Sequence, residues 1–153
     1  PSHYGNTEVD MAEVIRVQFE KSDYVDVSLK SAEWSTYLDQ MDTKQMPAFL
    51  LGWYPDYIDP DNYTAAFGSK AGSAGMGIYF SDPEWEKLFK KEQTSTDREV
   101  RKKVFEELQM RWTKQCPTVP IFQGNLFIFT KGNVKGVKIG PTLIFNYSEL
   151  YYE

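Results

Sequence analysis

The order of apolar patterns in the first third of the chain limits its fold more than any other feature. Residues 11–19 carry an apolar residue every four positions, as on one face of a helix, whereas residues 24–29 alternate as in a strand with one buried face. Residues 34–41 again show a helical stripe, and residues 47–53 form a short apolar run typical of a strand covered on both faces. Helix, strand, helix and strand at this spacing predict an α/β unit with parallel strands and right-handed crossovers.

A strand is missing from the start of this pattern, because the first helix has none before it. We therefore expect a strand before Pro1 and interpret the 153 residues as part of a longer protein. Within the chain we expect a single α/β lobe over residues 1–153, with a mixed, mostly parallel sheet flanked by helices. Thr7 with Asp10 resembles a cap for the first helix.

The middle of the chain predicts a loop followed by helices. Residues 63–77 are rich in small residues and are interpreted as loop, since their glycines match no phosphate-binding motif. Asp82 with Pro83 predicts the start of one helix, and Thr96 with Glu99 predicts a capping box for a longer one. The buried face of that long helix is expected to consist of Val100, Val104, Leu108 and Trp112. The helix is expected to stop at Pro117 and Pro120. Residues 119–152 are interpreted as short strands and loops.

Composition excludes several classes of function. The net charge is −5 with acidic and basic residues interspersed, so there is no electrostatic footprint for nucleic acid. The single cysteine, Cys116, and the single histidine, His3, provide no internal disulfide, no cysteine-based zinc site and no plausible nucleophile–base pair. We expect no metal, no cofactor and no catalytic residue.

The stretch after the second predicted strand is the candidate site, because α/β proteins bind ligands at the carboxyl ends of their strands. In "GWYPDYIDPDN", Asp59 and Pro60 resemble an N-cap and a first-turn proline, and Asp61 fits the first helical turn. Asp56 has no comparable structural role. A carboxylate among aromatic side chains can hold an ammonium group or accept bonds from sugar hydroxyls, and Trp53 supplies a stacking face.

Two other roles for these aspartates, in metal binding and in catalysis, fit the sequence poorly. Calcium binding fits poorly, because Pro60 interrupts the EF-hand pattern and its glycine and distal glutamate are absent. An acid–base pair of a glycosidase also fits poorly, because nothing in the sequence places two of the carboxylates at the required separation.

Three segments in the same order resemble one protein family. "GWYPDYIDPDNYTAAF" is similar to a motif of the family 5 extracellular solute-binding proteins, the oligopeptide- and dipeptide-type substrate-binding proteins of ABC importers. Residues 5–41 resemble the helix, strand and helix before that motif, and residues 78–123 resemble the "Y-S-D-P-E" stretch and long helix after it. The resemblance covers nearly the whole chain and implies the second lobe of a type II periplasmic-binding-protein fold, which closes on a ligand held between two lobes.

The resemblance also implies roles for individual residues. Asp56 matches the carboxylate that pairs with the α-amino group of a peptide, Trp53 matches a tryptophan that walls the cavity, and Tyr54 matches a position that offers backbone groups to an extended peptide. Pro55 departs from the family pattern, in which a small residue is commoner. The partners implied are a peptide, the missing first lobe and the permease subunits of the importer, and the implied location is extracytoplasmic.

Two alternatives stay open on the sequence. Some relatives bind oligosaccharides, for which an aspartate and a tryptophan serve equally well, and a catalytic hydrolase-like α/β domain is the alternative from another class. Because half of the cavity would be absent, we expect the chain alone to bind ligand weakly or not at all.

Overall fold

The computed structural model describes residues 1–2, 5–142 and 144–153, so His3 and Leu143, the latter within a predicted strand, lie outside the described residues. The chain divides into two compact units, Pro1–Gly52 and Trp53–Glu153. Whether residues 1–153 belong to one lobe stays a prediction.

The first unit contains two helices, α1 at Asn6–Phe19 and α2 at Trp34–Asp42. Helix α1 begins one residue before Thr7, with Gly5 at its N-cap position, so the predicted cap at Thr7 is wrong. In α2 the helical stripe is confirmed at Tyr37 and Met41, which are both buried. The Tyr37 hydroxyl donates a hydrogen bond to the Leu50 carbonyl at 2.7 Å, which ties α2 to the apolar run that follows it.

The two strands predicted in this unit do not form. Residues 24–29 and 47–53 belong to no strand, and Val25 and Leu29 are 41% and 42% exposed, so the predicted buried face is not covered. A strand exists only where a neighbour completes its hydrogen-bond ladder, and the described part of the chain provides neither segment with one. The apolar pattern identifies segments able to pair, whereas the pairing itself depends on a partner.

The second unit begins with two short helices where a loop was predicted. Residues 63–77 lie largely in α3, Asp61–Gly68, and α4, Lys70–Gly75, so the loop interpretation is wrong. Small residues serve close packing here: a Cβ on Gly68 would lie 2.7 Å from the Trp85 ring, and one on Gly72 would lie 2.1 Å from the Ala65 carbonyl oxygen. The Ser69 hydroxyl accepts from the Gly72 amide and caps α4.

Two longer helices form the core with α3. Helix α5 spans Pro83–Thr94, and its predicted cap is confirmed because the Asp82 carboxylate accepts from two backbone amides of the first turn. Helix α6 spans Arg98–Gln115 and is capped by Asp97, so the predicted capping box at Thr96 is wrong by one residue. The core consists of buried side chains from α5 and α6: Trp85, Phe89, Val104 and Leu108.

The end of the chain contains only one small sheet. Strands β1, Val134–Lys135, and β2, Tyr151–Tyr152, pair antiparallel, and a 3₁₀ turn at Tyr147–Glu149 precedes β2. The other strands predicted for this part do not form among the residues described, and neither does the mostly parallel sheet. Several large apolar side chains in residues 119–129 are exposed, with Phe129 at 93%. Within the described ranges, no helix has the length and hydropathy needed to cross a membrane.

Candidate functional site

A buried asparagine holds the candidate site segment, residues 53–60, against helix α3. The Asn62 side-chain oxygen accepts hydrogen bonds from the Trp53 indole N–H at 3.1 Å and from the Asp56 backbone N–H at 3.2 Å. The Trp53 and Phe67 rings also pack in a T-shaped arrangement, with 5.1 Å between ring centroids. Because Asn62 is only 6% exposed, its bonds are shielded from water and fix the conformation of the segment.

We call the hydrogen bonds from Trp53 and Asp56 to Asn62 the clamp. The groups of the held segment that are exposed to solvent are Tyr54 and Asp56. Tyr54 is 56% exposed, and its backbone N–H and C=O make no hydrogen bond within the described part of the chain. Asp56 is exposed, and its carboxylate has no protein partner among the residues described. Pro55, between them, is buried and helps to fix their direction. The segment is therefore held by its backbone and by Trp53, while the Asp56 carboxylate is left accessible.

Asp59 forms an ion pair at the far end of the segment. Its two carboxylate oxygens accept from the two Nη atoms of Arg101 at 2.6 and 2.8 Å, a bidentate arrangement. Hydrogen bonds from Arg101 are the largest cause that lowers the pKa of the Asp59 carboxyl below its usual range. One Asp59 oxygen also accepts from the Asp61 backbone N–H at 2.9 Å. Helix α3 begins at Asp61 with Pro60 at the N-cap position, so the predicted N-cap at Asp59 is displaced by one residue, although its carboxylate does bind a first-turn amide.

Asp61 and Glu92 extend this ion pair into a charged cluster. Arg101 donates a third bond to Glu92 at 3.0 Å, and the Tyr57 hydroxyl donates to Asp61 at 2.8 Å. The pKa of Glu92 is raised to about 7, first by burial and second by the hydrogen bond with Asp61. We call Asp59, Asp61, Glu92 and Arg101 the charged cluster. Together with Tyr57, Gln93 and Ser95 it lines an open cleft of about 390 Å³.

The structure thus separates the predicted site residues into two groups. Trp53, Tyr54 and Asp56 lie together on the clamped segment, and Asp59, Pro60 and Asp61 lie at the start of α3. Sequence reasoning missed Asn62, Glu92 and Arg101, whose roles depend on contacts across 6 to 42 positions of the chain. In the described ranges no group of three or more histidine, cysteine, aspartate or glutamate side chains is arranged to hold a metal ion.

Comparison with known proteins finds one protein family that this chain resembles. The family model described as "Bacterial extracellular solute-binding proteins, family 5 Middle" matches residues 1–75. A crystal structure of a dipeptide-binding protein from Pseudoalteromonas sp. SM9913, in complex with Met-Leu, superposes with a TM-score of 0.82 at 27% identity and covers 94% of this chain and 29% of that one. Residues 1–75 match the family 5 extracellular solute-binding proteins, and the structural similarity covers most of the chain.

Similarity to curated proteins extends beyond residue 75. It is 28% identical over 127 residues to the oligopeptide-binding protein OppA of Bacillus subtilis, covering 83% of this chain and 23% of that protein. It is 27% identical over 143 residues to the heme-binding protein A of Haemophilus influenzae, covering 92% of this chain and 25% of that protein. The chain therefore spans about a quarter of the length of these relatives. Its fold as part of a type II periplasmic-binding-protein lobe, expected from the sequence, is confirmed.

Proposed function

We propose that the protein containing this chain is the extracytoplasmic peptide-binding component of an ABC importer. In this proposal the chain contributes part of one lobe, and the solute is delivered to permease subunits in the membrane. Relatives named for binding oligopeptides and dipeptides support a peptide as the solute. The protein would act by binding its ligand and not by turnover, as expected for a member of a solute-binding family.

The observation that carries the proposal is the accessible Asp56 carboxylate on a segment that is otherwise tied down. Asn62 fixes the Asp56 backbone, and no protein cation in the described ranges neutralises its side chain. A peptide brings an ammonium group at its amino terminus, and a fixed carboxylate binds it with charge-assisted hydrogen bonds without first having to be ordered. We therefore assign Asp56 to the peptide's α-amino group.

Tyr54 and Trp53 have supporting roles in this proposal. The unbonded backbone N–H and C=O of Tyr54 can pair with the main chain of an extended peptide, which gives affinity without demanding a particular side chain. Trp53 is held by Asn62 and Phe67, so it would serve as a rigid wall beside Asp56. This combination favours tolerance of peptide sequence.

The remainder of the polypeptide would complete the cavity and cover apolar surface of this chain. Phe127 and Phe129 are 71% and 93% exposed, and Val119 is 73% exposed, although such side chains are usually buried in folded proteins. The relatives are about four times as long as this chain, which leaves ample polypeptide to cover these residues. Closure of two lobes on the peptide would then exclude water from Asp56 and strengthen its ion pair.

Calorimetric titration of the intact protein with short peptides tests the proposal. Asp56→Asn removes the charge but keeps the shape, so it should weaken binding of a peptide with a free amino terminus by on the order of 2–5 kcal/mol. Blocking the amino terminus by acetylation should weaken binding to the natural protein similarly. Asp39→Asn, which changes an exposed aspartate of α2, serves as the matched control.

The choice of peptides over other solutes is tested by thermal-shift screening of the intact protein. Stabilisation by short peptides, and not by oligosaccharides or heme, is the expected result. If oligosaccharides stabilise the protein and peptides do not, or if Asp56→Asn leaves peptide affinity at the value of Asp39→Asn, the assignment of Asp56 to a peptide ammonium is wrong.

A further inference from the structure

Glu92 is a buried carboxyl group with an incomplete set of hydrogen-bond donors. It lies on α5 and is 1% exposed. One of its oxygens accepts from Arg101 at 3.0 Å, while the other, Oε1, is buried and has no donor among the described residues. An ionised carboxylate with an unsatisfied oxygen is costly in such a position, whereas a protonated carboxyl could use that oxygen as a donor.

The groups that line the cleft with Glu92 come from five parts of the second unit. The segment before α3 contributes Tyr57 and Asp59, α3 contributes Asp61, α5 contributes Gln93, Ser95 lies between α5 and α6, and α6 contributes Arg101. These include two further carboxylates and a single guanidinium. If every carboxyl were ionised, Arg101 would have to balance three negative charges in one cleft, so a proton is the simplest means of reducing the repulsion.

Asp61 is the acceptor available for that proton. Its carboxylate already accepts from the Tyr57 hydroxyl at 2.8 Å and from the Gln93 amide at 3.4 Å, so both of these neighbours are donors, whereas Glu92 can donate only while it holds a proton. A carboxyl next to a carboxylate forms a hydrogen bond only while one of them holds the proton. Glu92, the more buried of the two, is the natural site for it.

We propose that Glu92 is a positioning residue for the ligand-binding segment: it shares one proton with Asp61, and this proton determines how firmly Arg101 and α3 hold that segment. The proton completes the bonding of Glu92 and leaves the bidentate Arg101 bonds available to Asp59. When the proton is lost, the carboxylates of Glu92 and Asp61 repel each other, and Glu92 competes with Asp59 for hydrogen bonds from Arg101. Because Asp59 lies three residues after Asp56, the segment that presents Asp56 loosens when the proton is lost.

The pKa of Glu92, raised to about 7 by burial first and by Asp61 second, agrees with a proton retained near neutral pH. The shared proton follows from the charged cluster alone. Its consequence for peptide affinity rests on the proposed function, so the two are tested separately.

Hydrogen–deuterium exchange of the intact protein without ligand, at about pH 6 and about pH 8, tests the shared proton. After correction for the intrinsic effect of pH, exchange of the Asp56 and Asp61 amides should be faster at the higher pH. The increase should be up to roughly tenfold, the factor that corresponds to one pKa unit. Exchange in the middle of α6 should not change. In Glu92→Gln, which cannot ionise, the two pH values should give equal rates, whereas Glu106→Gln on the exposed face of α6 should behave as the natural protein does.

Infrared difference spectra of the natural protein give a readout that needs no variant. A protonated carboxyl band that disappears between about pH 6 and about pH 8 is the expected result. Equal exchange of residues 54–62 at both pH values, or the absence of this band, would overturn the proposal. If the exchange result holds but no peptide binds at either pH, the proposed function fails and the shared proton stands.

Discussion

Two clusters join the same three helices by different kinds of interaction. The apolar core of Trp85, Phe89, Val104 and Leu108 connects α5 to α6, and Gly68 of α3 lies against it. The charged cluster connects the start of α3 to α5 and α6 through Asp59, Asp61, Glu92 and Arg101. Both are built from residues distant in sequence, but only the charged cluster adjoins the segment that carries Asp56.

The difference between the clusters indicates a division of tasks. Apolar packing contributes stability in proportion to buried area and does not respond to protons. A buried ion-pair cluster adds little net stability, because desolvation offsets much of its attraction, but it fixes a geometry and responds to pH. We therefore expect the core to determine whether the helices fold together, and the charged cluster to determine how the ligand-binding segment is held.

Leu108→Ala should produce the largest effect, since it acts on the core. Leu108 is fully buried, so the truncation removes packed methyl groups and leaves a cavity, with an expected cost of about 2–5 kcal/mol in the free energy of unfolding. Urea denaturation followed by tryptophan fluorescence measures it. Met110→Ala on the exposed face of the same helix is the control and should cost much less. Equal losses for the two variants would contradict the assignment of this core.

Arg101→Leu should have an intermediate effect, because it breaks the charged cluster and leaves the core intact. It strands Asp59 and Glu92 in a partly buried site, at an expected cost of about 1–3 kcal/mol once solvent screening is allowed for. Adding Asp59→Asn should cost less in this background than in the natural protein, because the partner is already gone. Arg111→Leu, which breaks an exposed pair with Glu107, is the control and should cost about 0.5 kcal/mol or less.

The sequence predicted this core better than it predicted the charged cluster. The spacing of Val104 and Leu108 identifies a buried helix face, because helical periodicity is a local property. Arg101 lies on the same helix, but nothing local shows that it reaches Asp59, 42 positions earlier. The prolines and aspartates at the start of α3 predict a turn from the sequence alone, whereas the ion pair of Asp59 with Arg101 is visible only in the fold.

Two other differences between the sequence predictions and the structure have clear physical causes. The small residues of α3 and α4 resemble a flexible loop, yet Gly68 and Gly72 are small because a ring and a carbonyl oxygen lie where a Cβ would stand. Residues 24–29 and 47–53 have strand patterns but form no strand, since strand formation depends on a partner. The family motif identified Trp53, Tyr54 and Asp56 as a group, while the clamp by Asn62 that holds Trp53 and Asp56 in place became visible only in the structure.

The smallest expected effect is the pH dependence of stability that arises in the charged cluster. The pKa of Glu92 is raised from 4.5 to about 7, so the folded state keeps a proton that the unfolded chain releases, and stability falls as pH rises through that window. The pKa of Asp59 is lowered from 3.8, so its contribution is lost as the pH falls below about that value. These two carboxyls together therefore favour a maximum at about pH 4–5. Glu92→Gln should remove the decline on the alkaline side, about 1 kcal/mol between pH 6 and pH 8 in urea denaturation, and keep the decline below pH 4. Because Leu108→Ala lowers stability without changing which protons are bound, its curve should run parallel to that of the natural protein; a change in its pH dependence would mean that the two clusters do not act independently.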